Sequence, residues 1–544
     1  MSQANSLREG SGGVVKAAAI LAIGNVASRI LGLARETVKA NLFGATGLLA
    51  AYEVAAYIPV SLFDLIIGGM VNSSLVPVFS EYAAKERREE LWHVLSMVLS
   101  AATVLLLLVV GMVEVFTPQV AWLIGARNFA DVSLTETAVR LMRLATPAVF
   151  FMSIASILTG LLYALKRFTI PAFMGAVLNG AVVASALLRP AHVDSLVWGL
   201  LAGSLLQILL QWPALGQSRL RWNLNWQHPA IRRILQLYAP IIGGLIITQL
   251  AVALSINLAT RIGDDSLAYM KYATTLYQFP LGLIVTALSV ATLPTLSRQA
   301  LGELDTFKQT MAEGIRLVIA LILPATAGLF ALAVPIVALL FEHGKFVPQN
   351  TLVTALALRT YLFGLPFAAV DQMLVFASYA RKDTLRPALV GVVSIVIYLG
   401  TAVLFRTPLG HVGYTIGQAM GLEGFAGLDT LGNGLLSLMV ADAVKHVVHT
   451  TLMVWLLWRQ LGGLGRYGVM TVTLKSLAAA GVTGLMAWGT AVFIRPMLPS
   501  TFTGKLLLVV AAGLAGLLTY ALMVLLLNIR EAKMLPQLLR RRNR

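Results

Sequence analysis

The 544-residue chain contains no cysteine, which excludes disulfides, thiolate nucleophiles and zinc–thiolate sites. It is also poor in charge. Asp, Glu, Lys and Arg together make up 12% of residues, about half the share of a soluble domain. Long polar stretches are missing: apart from 406–432, the gaps between apolar runs are short loops. An extramembrane catalytic module therefore has no room. The signatures G-x-S-x-G and H-E-x-x-H and the Walker phosphate loop are missing too, so the chain is expected to hydrolyse no ATP by itself.

What is present is apolar sequence. Hydrophobic residues make up 58% of the chain, in recurring runs of about 20 residues, the length that spans a bilayer as a helix. The runs lie near 14–34, 47–79, 92–117, 136–163, 169–188, 193–215, 233–260, 267–296, 315–340, 351–379, 386–405, 434–458, 470–494 and 504–528. The expected fold is an all-α polytopic membrane protein with about 14 transmembrane helices. The second, eighth and tenth runs exceed a simple span and should be tilted or bent. The first run, flanked by Arg8 and Lys16, reads as an integral span rather than a cleaved signal.

The formal charge of +17 suits nucleic acid only until its distribution is read. With the N-terminus inside, alternate loops on that side hold "KERR" at 85–88, Lys166, Arg167, the stretch Arg219 to Arg233, Arg298, Lys308, Arg381, Lys382, Arg386, Arg459, Arg466 and "RRRNR" at 540–544. The opposite loops are sparse in cations. This is the positive-inside asymmetry. It implies two cytoplasmic termini, no nucleic-acid partner, and a basic tail resting on anionic lipid headgroups.

Two internal matches point to a repeat. "SSLVPVFSE" at 73–81 resembles "SVATLPTLSR" at 289–298, with Pro77 matching Pro294. "YALKRFTIP" at 163–171 resembles "YARKDTLRP" at 379–387. The offsets are 217 and 216 residues. The organisation that follows is a cytoplasmic N-terminus (1–13), an N-lobe of helices 1–6 (14–222) and a C-lobe of helices 7–12 (229–460). Two further helices (470–528) and a basic cytoplasmic tail (529–544) complete it. An even number of spans per lobe makes the repeat parallel, an arrangement suited to rocking between two lobes.

Charges inside spans must line a cavity or pair with each other. Helix 1 carries Arg29 and Glu36, seven residues apart and so on one face, with Arg35 beside them. Helix 2 carries Glu53 and Asp64, eleven apart, followed by Gly68 and Gly69, a hinge or a close-packing point. Helix 8 has Lys271, Thr274, Thr275 and Gln278 before Pro280, which bends a helix or frees carbonyls. Helix 10 has Arg359 and Asp371, then Arg381. Asp442, Lys445, His446 and His449 form one stripe on helix 12, read as an interhelix polar network rather than a metal site.

These motifs, "SRILGLARE" at 28–36, "FGA" at 43–45, "VPVFSEY" at 76–82, "FEHGKF" at 341–346 and "YARKDTLRP", together resemble the MurJ/MviN family. These are bacterial lipid II flippases of the multidrug/oligosaccharidyl-lipid/polysaccharide exporter superfamily. The resemblance implies an inner-membrane transporter that carries lipid II outward by alternating access and needs no cofactor. An ion gradient or the membrane potential would drive it, and cell-wall synthesis enzymes are potential partners. It also implies a cationic cavity in which Arg29, Arg35, Glu36 and Arg381 match family positions, and a groove at helices 13–14 for the polyprenyl tail.

The chain departs from the family at several cavity positions. An acid at the start of helix 2 is Ala50, and an arginine pair in mid-helix 2 is Phe63 and Asp64. An Asp-Arg pair in helix 8 is Thr274 and Thr275, and a nearby Glu is Gln278. Lys271, one turn before Thr275, is expected to restore a cation. The cavity set is thus Arg29, Arg35, Glu36, Asp64, Lys271, Thr275, Gln278 and Arg381, with Gly68, Gly69 and Pro280 as hinges and no metal. A Gly-rich insertion near 413–433, expected outside, has no family counterpart. The loss of arginines keeps open an exporter of another polyprenyl-linked glycan or of a cationic small molecule. A non-transporting scaffold for wall-synthesis enzymes is the remaining alternative.

Overall fold

The computed structural model describes the backbone of residues 2–532 apart from 217–219, 226 and 464. Side chains are described from residue 19 onward, apart from Lys85, Pro240, Ala287 and Val290. The expected basic tail beyond 532, Arg219, and the side chains of the N-terminal stretch lie outside these residues. All described elements are helical, with no strand among the described residues. Contacts divide the chain into two units, Met1–Ala268 and Tyr269–Arg544.

The first unit contains α1 (Ser2–Phe43), α2 (Gly47–Phe63), α3 (Val76–Glu81), α4 (Arg88–Val115), α5 (Thr117–Ile124), α6 (Val132–Ala145) and α7 (Ala148–Ala164). It continues through α8 (Thr169–Ala172), α9 (Met174–Leu188), α10 (Asp194–Gln211) and α11 (Pro229–Thr260). Leu75 and Phe79 bury fully against Leu91, Leu95, Ile157 and Leu161. Between helices in lipid there is no hydrophobic drive, so close backbone approach does the work. At Gly199 on α10 an added Cβ would stand 2.5 Å from the Val182 Cα on α9. By helix count α11 opens the second lobe, yet it packs into this unit. Asn128 donates to the Asn257 carbonyl at 3.1 Å, and Asn257 donates to the Leu123 carbonyl at 2.9 Å.

The second unit runs from within α12 (Ser266–Pro280) through α13 (Thr286–Gln299), α14 (Leu304–Ala331), α15 (Ala333–Phe341), α16 (Pro348–Leu362), α17 (Leu365–Ala380) and α18 (Leu385–Leu404). Next come α19 (Arg406–Ala419), α20 (Ala426–Gly432), α21 (Leu435–Leu461), α22 (Val469–Ile494) and α23 (Phe502–Leu526). Here α14 packs on α22, α22 on α23, and α17 and α18 on α21.

The repeat extends to single hydrogen bonds. A π turn spans Asp64–Gly68 and another spans Leu281–Val285, so that Gly69 N–H donates to Asp64 O and Thr286 N–H to Leu281 O. These are the same bond at the 217-residue offset of the proline match. Lys166 and Lys382 both adopt left-handed backbone, with φ of 59° and 60°. The next amides close the same bond, Arg167 N–H to Leu162 O at 2.7 Å and Asp383 N–H to Ser378 O at 3.0 Å.

Among the described residues ten helices are long and apolar enough to span a bilayer, and an eleventh span is the pair α16–α17, bent by 45°. The other expected spans correspond to α1, the 15-residue α9, and α12–α13 with its π turn. All three over-long runs therefore carry a break: π turns at 64–68 and 71–75, a π turn at 281–285, and the bend after Leu362. Pro280 immediately precedes its π turn, as expected where a helical N–H is lost. The surface is apolar in the manner of a lipid-facing protein, with Leu188, Val403, Leu404, Leu485 and Leu518 exposed.

The stretch 406–432, expected as a Gly-rich polar loop, is instead helical. Its glycines are packing surfaces: Gly410, Gly413 and Gly417 on α19 face α20, and at Gly413 an added Cβ would come within 2.9 Å of the Leu431 carbonyl oxygen. Their spacing places them on one helix face, which composition alone does not distinguish from a flexible loop.

Candidate functional site

In the first unit a buried ionic network joins α1, α2 and α9. Arg35 donates through Nε and Nη2 to Glu36 Oε1, at 3.0 and 2.8 Å, and through Nη1 to Asn179 Oδ1 at 3.0 Å. Asn179 in turn donates to the Ser28 carbonyl. Lys39 Nζ contacts Glu36 Oε2 at 2.7 Å and also pairs with Glu53. Glu36, Lys39 and Glu53 are all buried. Arg35 keeps about a third of its side chain accessible (35%), while all three of its guanidinium nitrogens are engaged by Glu36 and Asn179.

Arg29 is exposed on α1, two turns before the buried Glu36. The shared helix face thus has an open end and a closed end. Lys39 and Asn179 were not singled out in the sequence. The signal for Lys39 was its i, i+3 spacing from Glu36; none identified Asn179, which comes from a helix 144 residues away from Arg35.

Glu53 and Asp64, eleven residues apart on helix 2, meet different neighbours. Glu53 turns to Lys39 of α1, whereas Asp64 meets Gln249 of α11, Nε2 to Oδ2 at 3.4 Å. The π turn begins at Asp64 itself and shifts the register of the residues that follow it. Tyr57 donates to the Gln249 carbonyl, and Tyr238 to that of Leu65. Gly68 lies against Asp64, and an added Cβ at Gly69 would stand 2.4 Å from Leu245 Cδ1, so Gly69 is at least a packing glycine.

In the second unit Thr274 and Thr275 donate to carbonyls of their own helix, at Met270 and Lys271, and Gln278 is exposed. Lys271 is half-buried on the same helix. Arg381 donates to Gln460 Oε1 at 2.5 Å, tying the end of α17 to the end of α21. The helix-12 stripe is a network on α21: Asp442 pairs with Lys445, His446 Nε2 stands 3.6 Å from Asp442, and His449 meets Asp371 of α17 at 2.6 Å. Glu342 of "FEHGKF" accepts from Lys505 at 3.0 Å and from Thr351 at 2.6 Å.

The same unit holds an apolar cavity of about 730 Å³ between α14, α22 and α23, lined among others by Leu321, Pro324, Ala487, Gly513, Gly516 and Leu517. Its one phenol, Tyr520, gives its hydroxyl to the Ala320 carbonyl, which leaves hydrocarbon walls. Among the described residues no three His, Asp or Glu side chains gather as a metal site.

Residues 39–429 match the family model described as "Lipid II flippase MurJ". The chain belongs to the MurJ family. A curated relative from Bdellovibrio bacteriovorus, named probable lipid II flippase MurJ, is 31% identical over 497 residues, covering 88% of this chain and 89% of that protein. The lipid II flippase MurJ of Burkholderia cenocepacia is 29% identical over 411 residues, covering 72% and 78%. A solved structure titled lipid II flippase MurJ, inward closed conformation, superposes with a TM-score of 0.72 at 20% identity, covering 93% of this chain and 98% of that one. That likeness establishes the MurJ fold, a polytopic all-α membrane architecture. The family match ends at 429, so α21, α22, α23 and the cavity between α14, α22 and α23 are known here from structure.

Proposed function

We propose that this chain carries lipid II, the polyprenyl-pyrophosphate-linked peptidoglycan precursor, from the cytoplasmic to the outer leaflet of the bacterial inner membrane by alternating access. Membership of the MurJ family over residues 39–429 carries the reading. Two features support it. Arg29, Arg35 and Lys39 lie along α1, with Arg29 exposed and Arg35 partly accessible while Glu36 and Asn179 fix it. Such a guanidinium binds pyrophosphate as a fork and stays charged when desolvated. The cavity between α14, α22 and α23 has the apolar walls a polyprenyl chain requires.

The cytoplasmic placement of both termini rests on the cation asymmetry of the loops. With no ATP motif, the driving force is the membrane potential or an ion gradient; the potential supplies about 2.3 kcal/mol per charge per 100 mV. Anionic lipids beneath the tail and wall-synthesis enzymes complete the set of partners.

The test is complementation. The chain is expressed in a bacterium whose own lipid II flippase is depleted, and lipid II on the outer leaflet is measured. Rescue that Arg29→Ala abolishes supports the reading. Folded, membrane-inserted protein without rescue overturns it in favour of another exported substrate. Asp64, where the family carries arginine, favours a cation as that second substrate, and Asp64→Asn then becomes the deciding variant.

A further inference from the structure

The hairpin α19–α20 joins two spanning helices and is too short to span by itself. Leu404 ends α18 and Leu435 begins α21, both long and apolar enough to cross a bilayer. Between them α19 has 14 residues and α20 has seven, or about 21 and 10 Å of helix. The two ends of the hairpin are tied together. Arg406 donates through Nε to the Asn433 carbonyl at 3.0 Å. Gly434 lies so near the Arg406 carbonyl that an added Cβ would stand 2.7 Å from its oxygen. Both ends therefore sit where α18 and α21 leave the hydrocarbon, and α19 starts within one turn of that edge.

At about 100° per residue, the side chains of α19 sort into three faces. Gly410, Gly413 and Gly417 are buried against α20. Phe405, just before the helix, falls on a second face with Leu409, Val412, Ile416, Ala419 and Met420. This face is wholly apolar, and none of its members is buried. Phe405 is 50% exposed and Val412 49%. The third face carries Thr407, His411, Thr415 and Gln418, with the phenol of Tyr414 at its side, and all five are exposed.

An apolar face left open beside an open polar face is the pattern of a helix lying in the plane of the membrane interface. The apolar face of α19 also continues a surface already turned to lipid. On α18, Val396, Val403 and Leu404 are exposed on a spanning helix, and Phe405 follows Leu404 directly. At the edge of the hydrocarbon this stripe meets acyl chains before any soluble partner. Charge gives no further attraction. Residues 406–434 hold one arginine, Arg406, against Glu423 and Asp429, so anionic headgroups are not what holds the hairpin. Burial of apolar side chains is.

We propose that α19 lies at the boundary between headgroups and acyl chains in the outer leaflet, the side opposite the cation-rich loops. Phe405, Val412 and Ile416 face the acyl chains, and His411, Thr415 and Gln418 face water. The partner of this surface is the lipid itself, and the hairpin fixes the outer ends of α18 and α21 at one depth. The proposal stands whatever substrate the chain carries.

The chain has no cysteine, so one nitroxide can be placed at a time. His411 and Val412 are exposed neighbours on opposite faces, and so are Gln418 and Ala419. The experiment labels His411→Cys, Val412→Cys, Gln418→Cys and Ala419→Cys in the full chain, one copy per nanodisc of phosphatidylethanolamine and phosphatidylglycerol. Collision rates are read with oxygen, which dissolves among acyl chains, and with a nickel chelate, which stays in water. Labels at 412 and 419 should collide preferentially with oxygen and those at 411 and 418 with the chelate. The alternation should persist when phosphatidylcholine replaces phosphatidylglycerol. Preference for the chelate at all four positions overturns the proposal and leaves the apolar face to a soluble protein. Preference for oxygen at all four, or shielding from both reagents at 412 and 419, also overturns it. Alternation lost without phosphatidylglycerol overturns apolar burial as its basis. The leaflet is read with a membrane-impermeant maleimide on His411→Cys in spheroplasts: labelling of intact spheroplasts supports the outer leaflet, and labelling only after lysis overturns it.

Discussion

Replacing Lys39 tests whether the ionic network of the first unit is a single balanced object. Lys39 bridges two buried carboxylates, Glu36 at 2.7 Å and Glu53. At an effective dielectric near 20, a pair at that distance attracts by about 6 kcal/mol, most of it offset by the desolvation of both groups. Lys39→Met keeps the apolar stem and removes the charge. Glu53 and Glu36 then both lose that ammonium, and Glu36 keeps Arg35. Removing one partner of a buried ion pair costs about 3–5 kcal/mol. Neutralising the stranded partner should return much of that loss, so the double variant Lys39→Met, Glu53→Gln should be more stable than Lys39→Met alone. The assay is equilibrium unfolding of the purified proteins in mixed micelles, followed by tryptophan fluorescence. A single variant that loses less than about 1 kcal/mol, or a double variant no better than the single, refutes the reasoning.

Three further outcomes follow from the geometry. At Gly513 an added Cβ meets no atom within 4 Å and points into the apolar cavity of the second unit. Gly513→Phe should therefore cut lipid II transport while leaving expression unchanged, and Gly481→Phe, also on open space but away from the cavity lining, should not. Gly434 has φ of +98°, and its added Cβ would stand 2.7 Å from the Arg406 carbonyl oxygen. Gly434→Ala should destabilise the 406–434 hairpin by at least about 1–2 kcal/mol, read as faster proteolysis between α19 and α21. Lys166 and Lys382 share a strained left-handed backbone. Lys166→Gly and Lys382→Gly should each change unfolding stability in the same direction, a gain of up to about 1 kcal/mol; opposite signs at the two positions would refute their equivalence.

Much of the architecture is legible in the sequence because it is written in short windows. Apolar runs set the helices, and each of the three runs too long for a span contains a break. The proline and lysine matches mark backbone bonds that recur in both units. The hairpin at 406–432 escaped because glycine supports loops and tight helix packing alike. Its three glycines at spacings of three and four residues were the available signal. Among the candidate residues, Arg35 and Glu36 could be read as a pair because they are adjacent. Glu53 and Asp64 meet different neighbours because eleven residues set them about 16 Å apart along the helix, and which helix lies at each height is not written in the spacing.

The sequence by itself determined that this chain crosses the membrane many times, that it is built on a repeat, and which few charges it places inside its spans. Hydropathy, periodicity and cation asymmetry are properties of consecutive residues, and no partner is needed to read them. The tertiary structure alone decided who meets whom. Lys39 reaches Glu53 across α1 and α2, Asn179 steadies Arg35 from α9, and Asp371 finds His449 across α17 and α21. These pairs are separated by 14, 144 and 78 residues. A buried charge takes whichever opposite group the packing of helices brings within about 3 Å, and that packing is settled by the small residues and backbone breaks of the whole unit.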